Sequence, residues 1–338
     1  MRPFSYELAT DSASAVALAS VPASAHVTSS VQFIGGGTTL VDLMKLEVMQ
    51  PSTLVDISSI RDEDMHKVVQ TETGLRIGSL VSMGQLHSDK AIVRDYPILT
   101  ESLWRAASQQ LRNMARLGGN VLQRTRCSYF RDTSYEQCNK RIPGSGCAAL
   151  DGMNRGHAIL GTSEHCIATY PGDWAPALIA LDAQVEVLSR SGKRTLPFSE
   201  LHRLPGATPH IETNLRPGDL ITAFIIPVGP QRRSLYRKIR DRESYQFANA
   251  SAAVALDLQG DVLREVRIGL GGVATVPWRA HRAEAMLRGR SLNEATATLA
   301  AEAEFKEAHP RGHNAPKVAL GKSTLIRALL EAKAMEVS

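Results

Sequence analysis

The sequence predicts an α+β chain, with a larger mixed N-terminal region and a smaller C-terminal domain of antiparallel sheet and helices. Three observations predict it. Short apolar runs bounded by turn residues alternate with helix-period segments through the first 120 residues. Two hairpin patterns follow, around Ser191-Gly192 and around Gln259-Gly260-Asp261. Beyond Ala280 the spacing of apolar residues is helical.

In chain order, Val31-Gln32-Phe33-Ile34 reads as a strand that ends in Gly35-Gly36-Gly37-Thr38-Thr39, and Leu40, Leu43 and Met44 have helical spacing over 40–47. Residues 53–57 and 75–78 are strand-like. The stretch 82–116 is helical, broken near Pro97, with a helix C-terminus expected at Gly118-Gly119. Residues 124–171 are rich in Gly, Ser, Arg and Asn and lack periodicity, and an irregular stretch of that length is either functional or disordered. A hairpin over 183–196, a strand over 220–227, a second hairpin over 251–273 and helices over 280–287, 292–304 and 315–334 complete the pattern. The Pro227-Val228-Gly229-Pro230 link divides the chain into 1–228 and 229–338, as 338 residues suit two domains.

Composition narrows the function. Hydrophobic residues make up 43% and charged residues 22%, so the chain can bury a core. A net charge of +5 over this length does not point to nucleic acid. No apolar run approaches the roughly 20 residues that span a bilayer. Met1-Arg2-Pro3-Phe4-Ser5-Tyr6-Glu7 lacks the apolar core of a secretory signal, so export would require travelling with a signal-bearing partner.

The turn from Ile34 to Leu40 joins a strand to a helix and suits a diphosphate, because glycines let the backbone approach an anion and aim N–H groups at it. Thr38 and Thr39 add hydroxyls. A bare tight turn is the competing reading. Leu117-Gly118-Gly119-Asn120, alone a helix C-cap, gains weight as a second phosphate-side turn. Gly144-Ser145-Gly146-Cys147-Ala148-Ala149 has dinucleotide-fingerprint spacing but follows no strand. Gly321-Lys322-Ser323-Thr324 lacks the upstream glycine of a triphosphate loop, since Pro316 stands there, and reads as polar positions on a helix.

All four cysteines, Cys127, Cys138, Cys147 and Cys166, fall in one window of 40 residues. Their separations of ten, eight and eighteen residues match neither zinc ribbons nor bacterial ferredoxins. Two disulfides, a four-thiolate zinc and a 4Fe–4S cluster all stay open. Arg124, Arg126, Arg131, Lys140 and Arg141 beside the first three thiols favour the anionic cluster over a solvated basic loop.

Ile34 to Leu40, Leu75-Arg76-Ile77-Gly78-Ser79-Leu80, Gln110-Leu111-Arg112-Asn113 and Leu117-Gly118-Gly119-Asn120 together resemble the flavin domain of the xanthine oxidase family. Within it the chain looks like the separate FAD-binding subunit of bacterial three-subunit molybdenum-containing aldehyde oxidoreductases. The stretches around Cys127, Cys138-Asn139-Lys140-Arg141, Pro143 to Ala149 and Gly161 to Thr169 resemble the 4Fe–4S insertion of some members. The resemblance runs from about Phe4 to Leu330.

What it implies is specific. The fold would be a two-subdomain FAD-binding domain of the vanillyl-alcohol-oxidase/PCMH type over 1–228, carrying a cluster insertion at 124–171, followed by a C-terminal flavoprotein domain over 229–338. Ile34, Gly35, Gly36, Gly37, Thr38, Thr39 and Leu40 would hold the pyrophosphate, and Gly118, Gly119 and Asn120 the second turn. Asp173 would be an acidic flavin contact, otherwise a loop Asp capping the next turn. Ile221 would touch the isoalloxazine, otherwise a core strand residue; Lys238 would be a flavin lysine, otherwise a surface cation. Gly35 stands where the family often has Ala, which should loosen the turn. A large molybdenum-cofactor subunit, a small 2Fe–2S subunit and an external electron acceptor would be the partners. The location would be periplasmic by co-export, with the cytoplasm as the alternative. A flavin subunit of an aryl-thioester reductase or of another molybdenum hydroxylase, and a zinc-bearing nucleic-acid module, are the competing functions.

Overall fold

A computed structural model describes residues 1–336. The chain opens with β1 (Ser5–Leu8), α1 (Ser12–Ala19), β2 (Val31–Ile34), α2 (Leu40–Lys45) and β3 (Thr53–Asp56). The three strands form a parallel sheet in the order β1-β3-β2. Parallel pairing of β2 with β3 requires a crossover between them, and α2 supplies it. Asp11 starts α1 by accepting the Ser14 N–H at 2.7 Å, while the Asp11 N–H donates to the Ser14 hydroxyl.

Next come β4 (Val68–Thr71) and β5 (Gly74–Gly78), then α3 (Met83–Ser88), α4 (Lys90–Asp95), α5 (Pro97–Trp104), α6 (Gln109–Met114) and α7 (Leu117–Val121). The helical stretch predicted from 82 to 116 is therefore four short helices. Ser82 and Gln85 form a capping box at the start of α3. Asp89 takes the N–H groups of Ala91 and Ile92, which ends α3 and starts α4. Pro97 stands in the first turn of α5, where its missing N–H costs nothing. The expected C-terminus at Gly118-Gly119 is wrong: α6 ends at Met114, and both glycines lie inside α7. Gly118 serves close approach, since a Cβ there would sit 3.0 Å from the Ser79 Cβ, and its N–H donates to the Ser79 carbonyl at 2.8 Å.

After α8 (Ser128–Arg131) and the irregular cysteine segment come α9 (Trp174–Ala180), β6 (Gln184–Ser189), β7 (Gly192–Pro197) and β8 (Leu220–Pro227). Strand β8 inserts between β5 and β6, giving an antiparallel sheet in the order β4-β5-β8-β6-β7. The last third holds β9 (Ser234–Ile239), β10 (Ala250–Gln259), β11 (Val262–Gly271), β12 (Trp278–Arg279), α10 (His281–Leu287), α11 (Glu294–Phe305) and α12 (Pro316–Lys333). These strands form a second antiparallel sheet, β12-β11-β10-β9.

Strand β10 is buried on both faces. Ala253 and Ala255 join Tyr236, Trp174 and Phe224 in the larger core, while Ala252, Val254 and Leu256 pack beneath α10, α11 and α12. Trp174 is fully buried against Phe224, edge to face at 4.9 Å, an anchor contributing roughly 2–3 kcal/mol by area. The Gly321 stretch lies on α12 as expected. Its glycine packs on the Phe305 ring, which a Cβ would approach to 2.5 Å.

The cysteine segment is ordered by side chains rather than by regular structure. Asn139 donates to the His165 carbonyl and accepts the Gly146 N–H, both at 2.9 Å. Asn154 accepts the His313 N–H at 2.9 Å, and Asn314 donates to the Ala158 carbonyl at 3.0 Å. Lys317 of α12 donates to the carbonyls of Gly156 at 2.9 Å and Gly272 at 2.6 Å. The segment is thus stitched to the C-terminal helices.

Candidate functional site: a glycine-lined cavity beside four thiols

A cavity of about 600 Å³ opens between the parallel sheet, the five-stranded antiparallel sheet and the cysteine segment. Its wall includes every residue from Ile34 to Leu40, with Gly118, Gly119, Asn120, Asp173 and Ile221. Of the cavity residues expected from sequence, only Lys238 is missing.

The glycine turn is shaped by contact with α6. A Cβ on Gly36 would stand 1.9 Å from the Met114 carbonyl oxygen, so only glycine fits. Gly37 has φ +69°, in the region that side chains disfavour. Among the described residues, the N–H groups from Gly35 through Thr39 donate to no backbone acceptor. Five consecutive free donors on a cavity wall fit an anionic diphosphate. Also on the cavity wall, Ser79 Oγ and Asn120 Oδ1 are buried without partners, as is Arg116 Nε. All three residues line the cavity, and sequence reasoning missed Ser79 and Arg116 as its polar wall. These unpaired groups fit a polar dinucleotide such as FAD.

At the other side Asp173 precedes α9 but caps nothing with its side chain. Its Oδ2 lies 2.8 Å from Lys238 Nζ, and its Oδ1 accepts the Tyr236 hydroxyl at 2.6 Å. Lys238 also donates to the Arg105 carbonyl at 3.0 Å. The surface-cation alternative for Lys238 is overturned, since its side chain is 1% exposed. Burial pushes the Asp173 carboxyl up and the Lys238 ammonium down, and each charge opposes the other's shift. Lys238 thus stands behind Asp173 and orients the carboxylate that borders the cavity. Ile221 lies on β8 opposite Val187 and is buried there.

The four cysteines converge on one small void, lined by all of them. None is in a disulfide, which removes the two-disulfide reading for this structure. Cys138 and Cys147 pair as an antiparallel bridge. Backbone N–H groups point at the sulfurs: Phe130 and Tyr129 at Cys127, Ala149, Ile167 and Leu150 at Cys147, and Ala168 at Cys166. Burial pushes the thiols of Cys127 to about 12 and of Cys166 to about 11, and raises Cys147 as well. His157 Nε2 lies 3.1 Å from Cys127 Sγ; burial lowers this imidazole to about 4. No group of three or more His, Cys, Asp or Glu is set in metal-holding geometry among the described residues. The donor set of four thiols with N–H groups around them nevertheless fits an anionic thiolate-bound centre.

The five cations do not simply face the thiols. Arg126 and Arg131 pair with Asp42, at 3.2 and 2.7 Å. Arg141 donates to the carbonyls of Tyr129, Phe130, Asp132 and Tyr135. Arg124 and Lys140 both hold Glu212, at 3.1 and 2.9 Å. The solvated-loop alternative also fails, because Arg124 is buried. Glu212 and Asp42 carry no motif that would have marked them.

Residues 2–229 match the family described as FAD binding domain in molybdopterin dehydrogenase, and residues 234–332 match CO dehydrogenase flavoprotein C-terminal domain. The chain is 44% identical to the aldehyde oxidoreductase FAD-binding subunit PaoB of Escherichia coli (strain K12), over 99% of each chain. It is 24% identical to the glyceraldehyde dehydrogenase medium chain of Sulfolobus acidocaldarius, over 77% of this chain and 74% of that one. In fold it is similar to the reconstituted CO dehydrogenase from Oligotropha carboxidovorans, with TM-score 0.75 and 24% identity, over 99% of this chain and 100% of that one. The free donors of the glycine turn, the cavity behind them and these matches lead to one conclusion: the chain belongs to the family of FAD-binding oxidoreductase subunits of molybdopterin dehydrogenases.

Proposed function

We propose that this chain holds one FAD in the large cavity and one 4Fe–4S cluster on Cys127, Cys138, Cys147 and Cys166, as the electron-transfer subunit of a heterotrimeric molybdenum aldehyde oxidoreductase. The observation that carries this reading is a shared wall: Lys140 and Ala168 border both the cavity and the four-thiol void. Two redox groups one residue apart would be close enough to exchange electrons. When bound, they would supply one-electron transfer, with the flavin also able to release electrons in pairs.

The chain's own residues do the placing. Gly35 to Thr39 would give N–H donors to the pyrophosphate, with Gly118, Gly119 and Asn120 at the second turn. Ile221 would present an apolar face to the isoalloxazine, and Asp173, steadied by Lys238 and Tyr236, an acceptor for its polar edge. The N–H groups around the thiols would partly offset the burial that disfavours thiolate there, which eases the holding of a cluster. Likeness to an aldehyde oxidoreductase subunit over the whole chain supports aldehydes as the substrate class of the complex. Electrons would come from a molybdenum-cofactor large subunit through 2Fe–2S centres of a small subunit, and leave to an external acceptor. The periplasm, reached with a signal-bearing partner, is the proposed location, with the cytoplasm as the alternative. The extents 1–228 and 229–338 are kept as the two proposed domains.

An absorption spectrum of the purified complex, with FAD, iron and acid-labile sulfide quantified per subunit and turnover assayed with aldehydes and with aryl thioesters, tests this. One FAD, four iron and four sulfide beyond the small subunit's share are expected. FAD without the extra iron removes the cluster, and thioester turnover without aldehyde turnover favours the aryl-CoA reductase alternative.

A further inference from the structure

The wall between the two chambers carries an ion pair that no sequence pattern suggested. Lys140 borders both chambers, whereas Glu212 borders only the larger cavity. Lys140 Nζ stands 2.9 Å from Glu212 Oε1 and 3.1 Å from the Pro209 carbonyl oxygen. Arg124 holds the same carboxylate from its other side, its NH2 group 3.2 Å from Oε1 and its Nε 3.1 Å from Oε2. Both side chains of the Lys140–Glu212 pair are only 14% exposed, so water screens them weakly. Lys140 lines the four-thiol void together with all four cysteines. Lys140 therefore sits on the wall shared with the four thiols, whereas Glu212 sits on the cavity wall alone, beside Arg124.

We propose that the Lys140–Glu212 pair is a positioning element for electron exchange that sets the potential difference between the two chambers. Its ammonium end favours an added electron at the four-thiol site, and its carboxylate end disfavours one in the cavity. This rests on the reading that the chambers hold a 4Fe–4S cluster and a flavin. In the exchange itself one electron leaves one centre and arrives at the other, and no bond forms or breaks. A structural staple between residue 140 and the 203–213 loop would be the plainer role. It predicts changes in stability but no signed change in potential.

The test is anaerobic potentiometric titration of the assembled complex, reading the cluster by electron paramagnetic resonance and the flavin by absorbance. FAD, iron and sulfide are quantified in each preparation. Lys140→Gln should lower the cluster potential by more than the flavin potential. Glu212→Gln should raise the flavin potential by more than the cluster potential. Each should change the electron-sharing constant about tenfold, which is about 59 mV for one electron. Lys140→Arg should stay close to the unmodified complex. Potentials that do not move, or that move equally at both centres, in fully loaded variants overturn the inference, even if those variants melt earlier. Should Lys140→Gln not assemble, Glu212→Gln decides alone: a raised flavin potential supports the proposal and an unchanged one overturns it. An unmodified complex with full FAD but no extra iron or sulfide fails differently, because it removes the cluster reading itself.

Discussion

Asp173 and Lys238, brought together from opposite sides of the proposed domain boundary, form an ion pair of 2.8 Å with both side chains withdrawn from water. The pair ties the start of α9, on the cavity wall, to β9 of the C-terminal sheet.

Removing one partner strands the other charge in a dry site. Lys238→Met should therefore cost about 3–5 kcal/mol of stability and lower the retained FAD. Adding Asp173→Asn to that variant should recover part of the loss, because no buried charge is then left alone. Urea unfolding of the three variants and flavin quantification measure both effects. Equal unfolding midpoints for Lys238→Met and the parent would contradict the pairing.

The two leading glycines should respond differently to a methyl group. At Gly36 it would meet the Met114 carbonyl oxygen at 1.9 Å, so Gly36→Ala should distort the turn, cost about 1–3 kcal/mol and shed flavin. At Gly35 the nearest atom is the Arg116 Cγ at 3.1 Å, the middle of a flexible chain. Gly35→Ala should stay within about 1 kcal/mol of the parent and keep its FAD. Thermal unfolding with FAD content separates the two positions.

Glu212 gives a pH dependence of known sign. Burial pushes its carboxyl up, but the charges of Arg124 and Lys140 outweigh burial and hold it at about 2, against 4.5 for a free side chain. A carboxyl lowered on folding stabilises the protein above its unfolded pKa and loses that contribution as pH falls towards the folded one. Roughly 3 kcal/mol should therefore disappear between pH 4.5 and 2 in the parent. Glu212→Gln should lack that part of the acid response, so the stability gap between the two proteins should narrow as pH falls. Urea midpoints across this range measure it.

Four free thiols make a further prediction. Cys138→Ser should lower the iron and sulfide of the complex while leaving FAD in place, since the glycine turn lies on another element. Thiol counting on the denatured, metal-stripped chain should return four reactive groups under anaerobic conditions. A count of zero before reduction would restore the disulfide reading. Full turnover by Cys138→Ser would show the centre to be structural.

Sequence alone reached the elements whose rules are local. The strand and turn from Val31 to Thr39, the hairpin across Ser191-Gly192 and the C-terminal helices could be placed because period and turn chemistry act over a few residues. It misplaced Gly118-Gly119, where a glycine needed for contact with Ser79 was indistinguishable from a helix cap. It also missed α9, a seven-residue helix without amphipathic signal because every residue from Trp174 to Ala180 is buried. The site followed the same division. The glycine turn announces itself by composition, and the cysteines by clustering. The Glu212 partner of Arg124 and Lys140 depends on a chain reversal over some eighty residues, and the Tyr236 hydroxyl on Asp173 joins a strand of the C-terminal sheet to the start of α9. No local pattern records such meetings.

The contacts of Asn154, Ala158 and Gly156 with His313, Asn314 and Lys317 bear on how the protein is made. A ribosome delivers the thiols well before the C-terminal residues that brace them. Until residues 313–317 have been made, the sulfur-bearing loop lacks its final support, so maturation of that loop waits on a stretch of chain made about 150 residues later.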